Sequence, residues 1–349
     1  MRSIEVGILG ATGVVGQQFI ARLHGHPWFR ATWLAASERS EGRAYRDAAP
    51  WRLAAPMPDA LGAMTVEACT PGRGPQLVFS ALDASVAGDI ERAFAEAGHI
   101  VVSNARNHRM DPLVPLLIPE VNHEHLGLLP EQRREKGWTG AIVTNPNCST
   151  VVLAMALAPM RLFGIRAVIV STMQAVSGAG YPGVPSLDIL GNIVPFIGGE
   201  EEKMESETLK ILGTDGGRIP YEAVVSAHTN RVPVVDGHTM TVSVDLVGKP
   251  SIAEVDAALR GFSSRPQELA LPSAPVPPII VCDEPNRPQP RLDADRGAGM
   301  AVSVGRLRPC PVLHAKFVAL GHNTVRGAAG AAILNAELMV AEQGHLVMW

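Results

Sequence analysis

The chain has 349 residues, 46% hydrophobic and 18% charged, the composition of a globular protein large enough for two domains. Its formal net charge of -4 excludes the basic footprint of a nucleic-acid binder and the polybasic stretch of a membrane-surface protein. Cys69, Cys148, Cys282 and Cys310 show neither metal-ligand nor disulfide-framework spacing, so no metal is expected, and the expected setting is a reducing cytoplasm.

In chain order, residues 4–9 are predicted as a short apolar strand, and Glu5 within it breaks the core that an export signal needs. The strand runs straight into Gly10-Ala11-Thr12-Gly13-Val14-Val15-Gly16 and a helix over 17–23. Strand, glycine turn and helix are the setting of a dinucleotide-binding motif. Gly10 permits the tight turn, Gly13 lets the backbone approach a diphosphate, and Gly16 lets the helix lie close to the sheet; Thr12, Val14 and Val15 complete the loop. The spacing is G-x-x-G-x-x-G, and the competing reading is a packing turn without a ligand.

A second strand over 32–36 ends at Ser37-Glu38-Arg39-Ser40, where an adenosine ribose would lie. Glu38 is the carboxylate an NAD site uses, whereas Ser37 and Arg39 suit a 2′-phosphate, and the expectation is NADP. Residues 51–70 are weakly patterned. Strands are predicted over 76–82 and 99–103, with a helix over 86–97 between them. Ser80 and Asn104, at the ends of these strands, are expected to line the cofactor groove, and Arg106 and Arg109 follow. Residues 117–122 are predicted extended, and 123–137 a polar helix or loop. Alternating strands and helices predict a doubly wound sheet whose ligands gather at the strand C-termini.

The apolar run 140–143 then leads into Thr144-Asn145-Pro146-Asn147-Cys148-Ser149-Thr150, followed by a stretch rich in helix formers. Cys148 therefore sits where a strand turns into a helix, and free N–H groups there favour a thiolate and can hold an oxyanion. Asn147 is an oxyanion or turn residue in this reading, and the Cys148 amide can join the same hole. The competing reading of Cys148 is a buried structural cysteine.

Residues 167–176 have the texture of a long strand in a second domain, broken at Ser177-Gly178-Ala179-Gly180. Residues 200–212 are predicted helical, 224–233 strand-like, and 238–246 an alternating strand with one covered face. A helix over 251–264, a proline-rich loop over 270–290, strands over 299–307 and 316–320, and a closing helix rich in small residues from 325 complete the chain. The expected fold is α/β: a Rossmann-like dinucleotide-binding domain from 1–147 with 322–349, and an α+β catalytic domain with a mixed sheet over 148–321.

A nucleotide fold, a cysteine at a strand–helix turn and a histidine at a sheet edge suggest a cysteine-dependent dehydrogenase. Such an enzyme forms a hemithioacetal, passes hydride to a nicotinamide and leaves a thioester for an acyl acceptor. Histidine is the base that needs no perturbation to work near neutral pH.

On these residues, together with Gln174-Ala175-Val176-Ser177-Gly178-Ala179-Gly180, Arg231-Val232-Pro233-Val234-Val235-Asp236-Gly237-His238 and the segment 322–336, the chain resembles the aspartate-semialdehyde dehydrogenase family, in its archaeal and fungal branch. The resemblance implies NADPH-dependent reduction of L-aspartyl 4-phosphate to L-aspartate 4-semialdehyde with release of phosphate, in the synthesis of threonine, methionine, lysine and isoleucine. It implies Cys148 as the acylated nucleophile, His238 as acid/base and Gln174 as an orienting residue near the sulfur. It implies Arg231 on the substrate carboxylate, Glu200 on the ammonium, and Lys203 with Arg109 on the phosphate, with Arg106 as a competitor of Arg109. Asn323, with Ser177 and Gly178, is implied to meet the cofactor. The resemblance also implies that the second domain is the dimerisation domain: a homodimer is expected, with tetramers left open, and no membrane or nucleic-acid partner. A related malonyl-CoA or succinyl-CoA reductase would keep Cys148, His238 and the glycine motif but need no ammonium ligand. A nucleotide-sensing protein on the same fold would need neither Cys148 nor His238.

Overall fold

The computed structural model describes residues 3–342; residues 1–2 and 343–349, the two ends of the expected first domain, lie outside the described residues. The first sheet has the order β3-β2-β1-β4-β5-β6. Its strands are β1 (Ile4–Leu9), β2 (Phe29–Ala36), β3 (Glu67–Ala68), β4 (Leu77–Ser80), β5 (Ile100–Ser103) and β6 (Ala141–Thr144), and every pairing is parallel. β4, β5 and β6 are buried throughout, as strands covered on both faces must be. Helices α1 (Val14–Leu23) and α2 (Ala84–Glu96) are among those that cover it.

The register decides where chemistry can occur. Leu9 pairs with Ser80, Ser80 with Ser103, and Ser103 with Thr144, so four strands end in one row. The residues that follow them, Gly10, Ala81, Asn104 and Asn145, therefore sit along a single edge. The strand order reverses between β1 and β4, which opens a crevice at that edge.

The second sheet has the order β10-β11-β12-β9-β7-β8 and is mixed. It contains β7 (Ile165–Gln174), β8 (Val224–Arg231), β9 (His238–Leu246), β10 (Ile279–Cys282), β11 (Val302–Pro309) and β12 (Ala315–Gly321). β7 pairs parallel with β8 and β10 with β11, whereas the pairings through β9 and β12 are antiparallel. Helices α3 (Cys148–Leu157), α4 (Glu200–Leu212) and α5 (Ile252–Arg260) supply its cover, and Val151 to Leu157 belong to the second core. The last helix, α6 (Gly330–Glu342), returns to the first core through Ile333, Leu334, Leu338 and Met339.

Three stretches differ from expectation. Residues 119–122 form a helical turn, not an extended segment, because Pro119 starts it and Asn122 Oδ1 accepts the N–H of Ile118 at 2.8 Å. The proline-rich region 270–290 contains β10, whose Ile-Ile-Val-Cys core is too short to stand out between prolines. The weakly patterned 51–70 region holds a one-turn helix, Asp59–Gly62, and the two-residue edge strand β3.

Before α6 the chain makes a π-turn over Val325–Ala329, with Gly327 N donating to His322 O at 3.0 Å. An added Cβ on Gly327 would lie 2.5 Å from Cys148 Cβ, so only glycine lets this turn seat against α3. Beside it the wholly buried Arg326 forks onto Glu120, both oxygens at 2.7 Å, across 206 residues of sequence. Removing one charge of a buried pair strands the other. Glu120→Gln is expected to lower unfolding stability by about 3 kcal/mol, read as a shifted denaturant midpoint; an unchanged midpoint would mean the pair contributes nothing.

Candidate functional site

Cys148 is the first residue of α3, and the turn before it is tied on every side. Asn147 caps the helix, its Oδ1 accepting the N–H groups of Ser149 at 2.9 Å and Thr150 at 3.2 Å. Its Nδ2 donates to Glu200 Oε1 at 2.7 Å, and its own N–H donates to Glu207 Oε2 at 2.6 Å. The Asn147 side chain thus serves the turn, the second of the two roles expected of it, through its oxygen and one of its two Nδ2 hydrogens. The N–H of Cys148 has no acceptor among the described residues and remains for an oxyanion.

His238 opens β9 and is completely buried, with Nε2 3.2 Å from Cys148 Sγ. Its Nδ1 accepts the N–H of Ala175 at 3.1 Å, so the neutral ring carries its proton on Nε2, facing the sulfur. Ala175 also accepts Arg231 Nη1 on its carbonyl at 2.8 Å, so the backbone of one residue positions both side chains. Arg231 and Gln174 end neighbouring strands in register, and both are buried. An added Cβ on Gly178 would lie 2.8 Å from Arg231 Nη1 and 3.0 Å from His238 Cε1, which puts that glycine over the same pair.

Burial pushes the Cys148 thiol up to about 12, with Glu200 adding to the rise and Arg109, Arg231 and Lys203 opposing it. All four charges expected around a substrate therefore act on this one sulfur. Burial first, then Arg231 and His322, pushes His238 down to about 3. Both directions favour a neutral thiol–imidazole pair in the free protein, not the thiolate that the helix start alone would favour. His238 is neutral in both folded and unfolded chains above its ordinary 6.5; as pH falls from there toward about 3, only the unfolded chain gains the proton, and this group's contribution to stability is lost.

Helix α4 presents one stripe to the site. Glu200 holds Lys203 at 2.7 Å on its second oxygen. Glu207 accepts Arg109 Nη1 at 3.0 Å, and Asn104 O accepts Arg109 Nη2 at 2.7 Å. Lys210, which burial pushes down to about 8, donates to the carbonyls of Arg109, Asp111 and Val114 at 2.7, 2.8 and 3.0 Å, clamping the loop that carries Arg109. Arg109 is buried toward the cysteine while Arg106 is exposed, which separates the two candidates. Sequence reading missed Glu207, Lys210 and Ala175. The signal for the first two was present: 200, 203, 207 and 210 repeat on one helical face.

A groove of about 570 Å³ opens at the strand-order reversal, lined by Gly10, Thr12, Gly13, Val14, Val15 and Ser37 among others. An added Cβ on Gly10 would lie 2.6 Å from Ala81 O and one on Gly16 2.4 Å from Gly10 O, so both are packing glycines. At Gly13 the nearest atom would be Gly10 O at 3.5 Å, an ordinary contact, so the protein around it does not require glycine there and a close approach by a ligand is the remaining reason for one. This cradle fits a dinucleotide diphosphate. Arg39 is exposed and does not line the groove, and Ser80 is wholly buried beneath it. Asn104 is held by Asn145, and Asn323 bridges Gly237 N at 2.9 Å to Ser177 Oγ at 2.7 Å, beside His238.

Family models described as "Semialdehyde dehydrogenase, NAD binding domain" and "Semialdehyde dehydrogenase, dimerisation domain" match residues 5–129 and 156–326. Aspartate-semialdehyde dehydrogenase of Archaeoglobus fulgidus is 52% identical over 342 residues, covering 97% of this chain and 98% of that one. That of Methanothermobacter thermautotrophicus is 54% identical over 343 residues, covering 96% and 99%. A crystal structure of aspartate semialdehyde dehydrogenase with NADP from Candida albicans superposes with a TM-score of 0.90 at 45% identity, covering 98% and 99%.

In the free protein, NMR of His238 is expected to show a neutral ring protonated on Nε2 between pH 5.5 and 8. Imidazolium shifts in that range would mean a preformed thiolate–imidazolium pair.

Proposed function

Because this chain belongs to the aspartate-semialdehyde dehydrogenase family, we propose that it catalyses the reversible, NADPH-dependent conversion of L-aspartyl 4-phosphate to L-aspartate 4-semialdehyde and phosphate. This step serves threonine, methionine, lysine and isoleucine synthesis. The observation that carries the reading is the 3.2 Å approach of Cys148 Sγ to His238 Nε2 within one set of charges.

Cys148 Sγ attacks the acyl carbon, the bond from that carbon to the phosphate oxygen breaks, and a thioester remains on Cys148. His238 takes the thiol proton on Nε2, and for that the ring must carry its own proton on Nδ1 instead. That tautomer forfeits the Ala175 hydrogen bond, and a phosphate dianion bound nearby offsets the loss by stabilising the imidazolium that forms, so the base is switched on by its substrate. The Cys148 N–H stabilises the oxyanion. Bound in the groove, the nicotinamide cofactor supplies the hydride that reduces the thioester. Breakdown of the resulting hemithioacetal on Cys148 releases the aldehyde, and His238 returns the proton to sulfur.

Each substrate charge has a counterpart. Arg231 meets the carboxylate as a planar fork, Glu200 the ammonium, and Lys203 with Arg109 the phosphate. Gln174 and Asn147 position the acyl group and the nucleophile. Gly10, Thr12, Gly13, Val14, Val15 and Ser37 hold the dinucleotide, and Ser177, Gly178 and Asn323 meet its nicotinamide end. We read residues 1–147 with 322–349 as the NADP-binding domain and 148–321 as the catalytic domain, in keeping with α6 in one core and α3 in the other.

A homodimer through the second sheet is supported by the dimerisation-domain match and by exposed apolar side chains at Ile169, Val224, Leu187 and Phe196. A reducing cytoplasm is in keeping with four free cysteines.

A substrate panel tests the reading. Aspartate semialdehyde with phosphate and NADP is expected to exceed malonate semialdehyde with CoA by at least a hundredfold in kcat/KM, and NADP to exceed NAD. A faster CoA arm would make the enzyme an acyl-CoA reductase.

A further inference from the structure

The groove has a cation that no expectation assigned. Arg52 lines it together with the glycine turn, and its guanidinium carbon lies 3.9 Å from the ring centroid of Tyr181. The two residues come from different parts of the molecule: Arg52 lies between β2 and β3, and Tyr181 follows β7 of the second sheet.

The backbone of Arg52 is fixed. Its N–H donates to Gln17 Oε1 at 2.8 Å, and Gln17 Nε2 donates to the carbonyls of Thr12 and Pro50 at 3.1 Å each. Arg52 is thus strapped to α1 immediately behind the glycine turn. Stacking on Tyr181 engages the flat face of the guanidinium and leaves its N–H edge for oxygen acceptors. That edge has no carboxylate partner among the described residues. Asp83, the acid that shares the groove, spends Oδ1 on the N–H of Ser85 at 2.9 Å as the cap of α2. Arg39, the cation expected to read the cofactor phosphate, is not part of the lining.

We propose that Arg52 binds a phosphate of the dinucleotide and that Tyr181, reaching from the second domain, is the residue that positions it. The inference rests on the dinucleotide reading of this groove. Either the diphosphate or the 2′-phosphate of NADP supplies the same chemistry, a phosphate oxygen accepting from a planar guanidinium. Because the stack joins the two domains over the groove, cofactor affinity becomes sensitive to a residue of the second domain.

Calorimetric titration of the full chain with NADP and with NAD tests this. The wild-type chain is expected to bind NADP, and failure to bind would refute the dinucleotide reading itself. Given that binding, Arg52→Met is expected to weaken the NADP dissociation constant at least tenfold. An equal loss with NAD assigns the diphosphate, and a loss with NADP alone assigns the 2′-phosphate. Tyr181→Ala is expected to weaken NADP three- to tenfold, Tyr181→Phe to stay within twofold of wild type, and Arg52→Met with Tyr181→Ala to be no weaker than Arg52→Met alone. Arg52→Met binding NADP within twofold of wild type overturns the proposal. Full additivity of the two losses overturns the role given to Tyr181.

Discussion

A single buried carboxylate, Glu207, sets the geometry around Cys148. Glu207 takes the peptide N–H of Asn147 at 2.6 Å on one oxygen and the guanidinium of Arg109 at 3.0 Å on the other. The first bond fixes the turn that aims Cys148, and the second fixes a cation that acts on the same sulfur. Both partners come from the first sheet's edge, whereas Glu207 belongs to a helix packed on the second. The carboxylate therefore links the first sheet's edge to the second sheet's helix layer beside Cys148. Buried charges of this kind need every oxygen satisfied, and here both are.

The same joint is reinforced from the other direction. Asn145 N–H donates to Ser103 O, its Nδ2 to Asn104 Oδ1 and Ala328 O, and its Oδ1 accepts Asn335 Nδ2 at 2.6 Å. One side chain thus joins the strand row, the π-turn and the last helix. Gly327 against Cys148 and Arg326 on Glu120 add close packing and a buried ion pair to the same junction. Cys148 is thus held from several sides at once, the placement that the proposed attack by its sulfur would need.

Local patterns were legible in the sequence wherever a few residues carry the physics. β1 with its glycine turn, the helix over 200–212 and the strand over 238–246 follow from periodicity and from glycine's backbone freedom. Cys148 at a strand–helix turn was visible for the same reason. What escaped were contacts made at long range by ordinary-looking residues. Glu207 and Lys210 sit in a helix that looks merely solvated, yet they are buried because Arg109 and its loop fold over them. Which of its two expected roles Asn147 serves stayed open because its partners, Glu200 and the helix N–H groups, are invisible without coordinates. The burial that raises the Cys148 thiol and lowers His238 opposes the pull of the helix start, and it too is invisible in the sequence.

The central claim is that Cys148 carries the acyl group. Incubating the protein with aspartate semialdehyde and NADP in the absence of phosphate, then mapping adducts by mass spectrometry, tests it most directly. The account predicts one aspartyl adduct, on the Cys148 peptide, discharged when phosphate is added. An adduct on Cys69, Cys282 or Cys310, or turnover by Cys148→Ala at the wild-type rate, would contradict it.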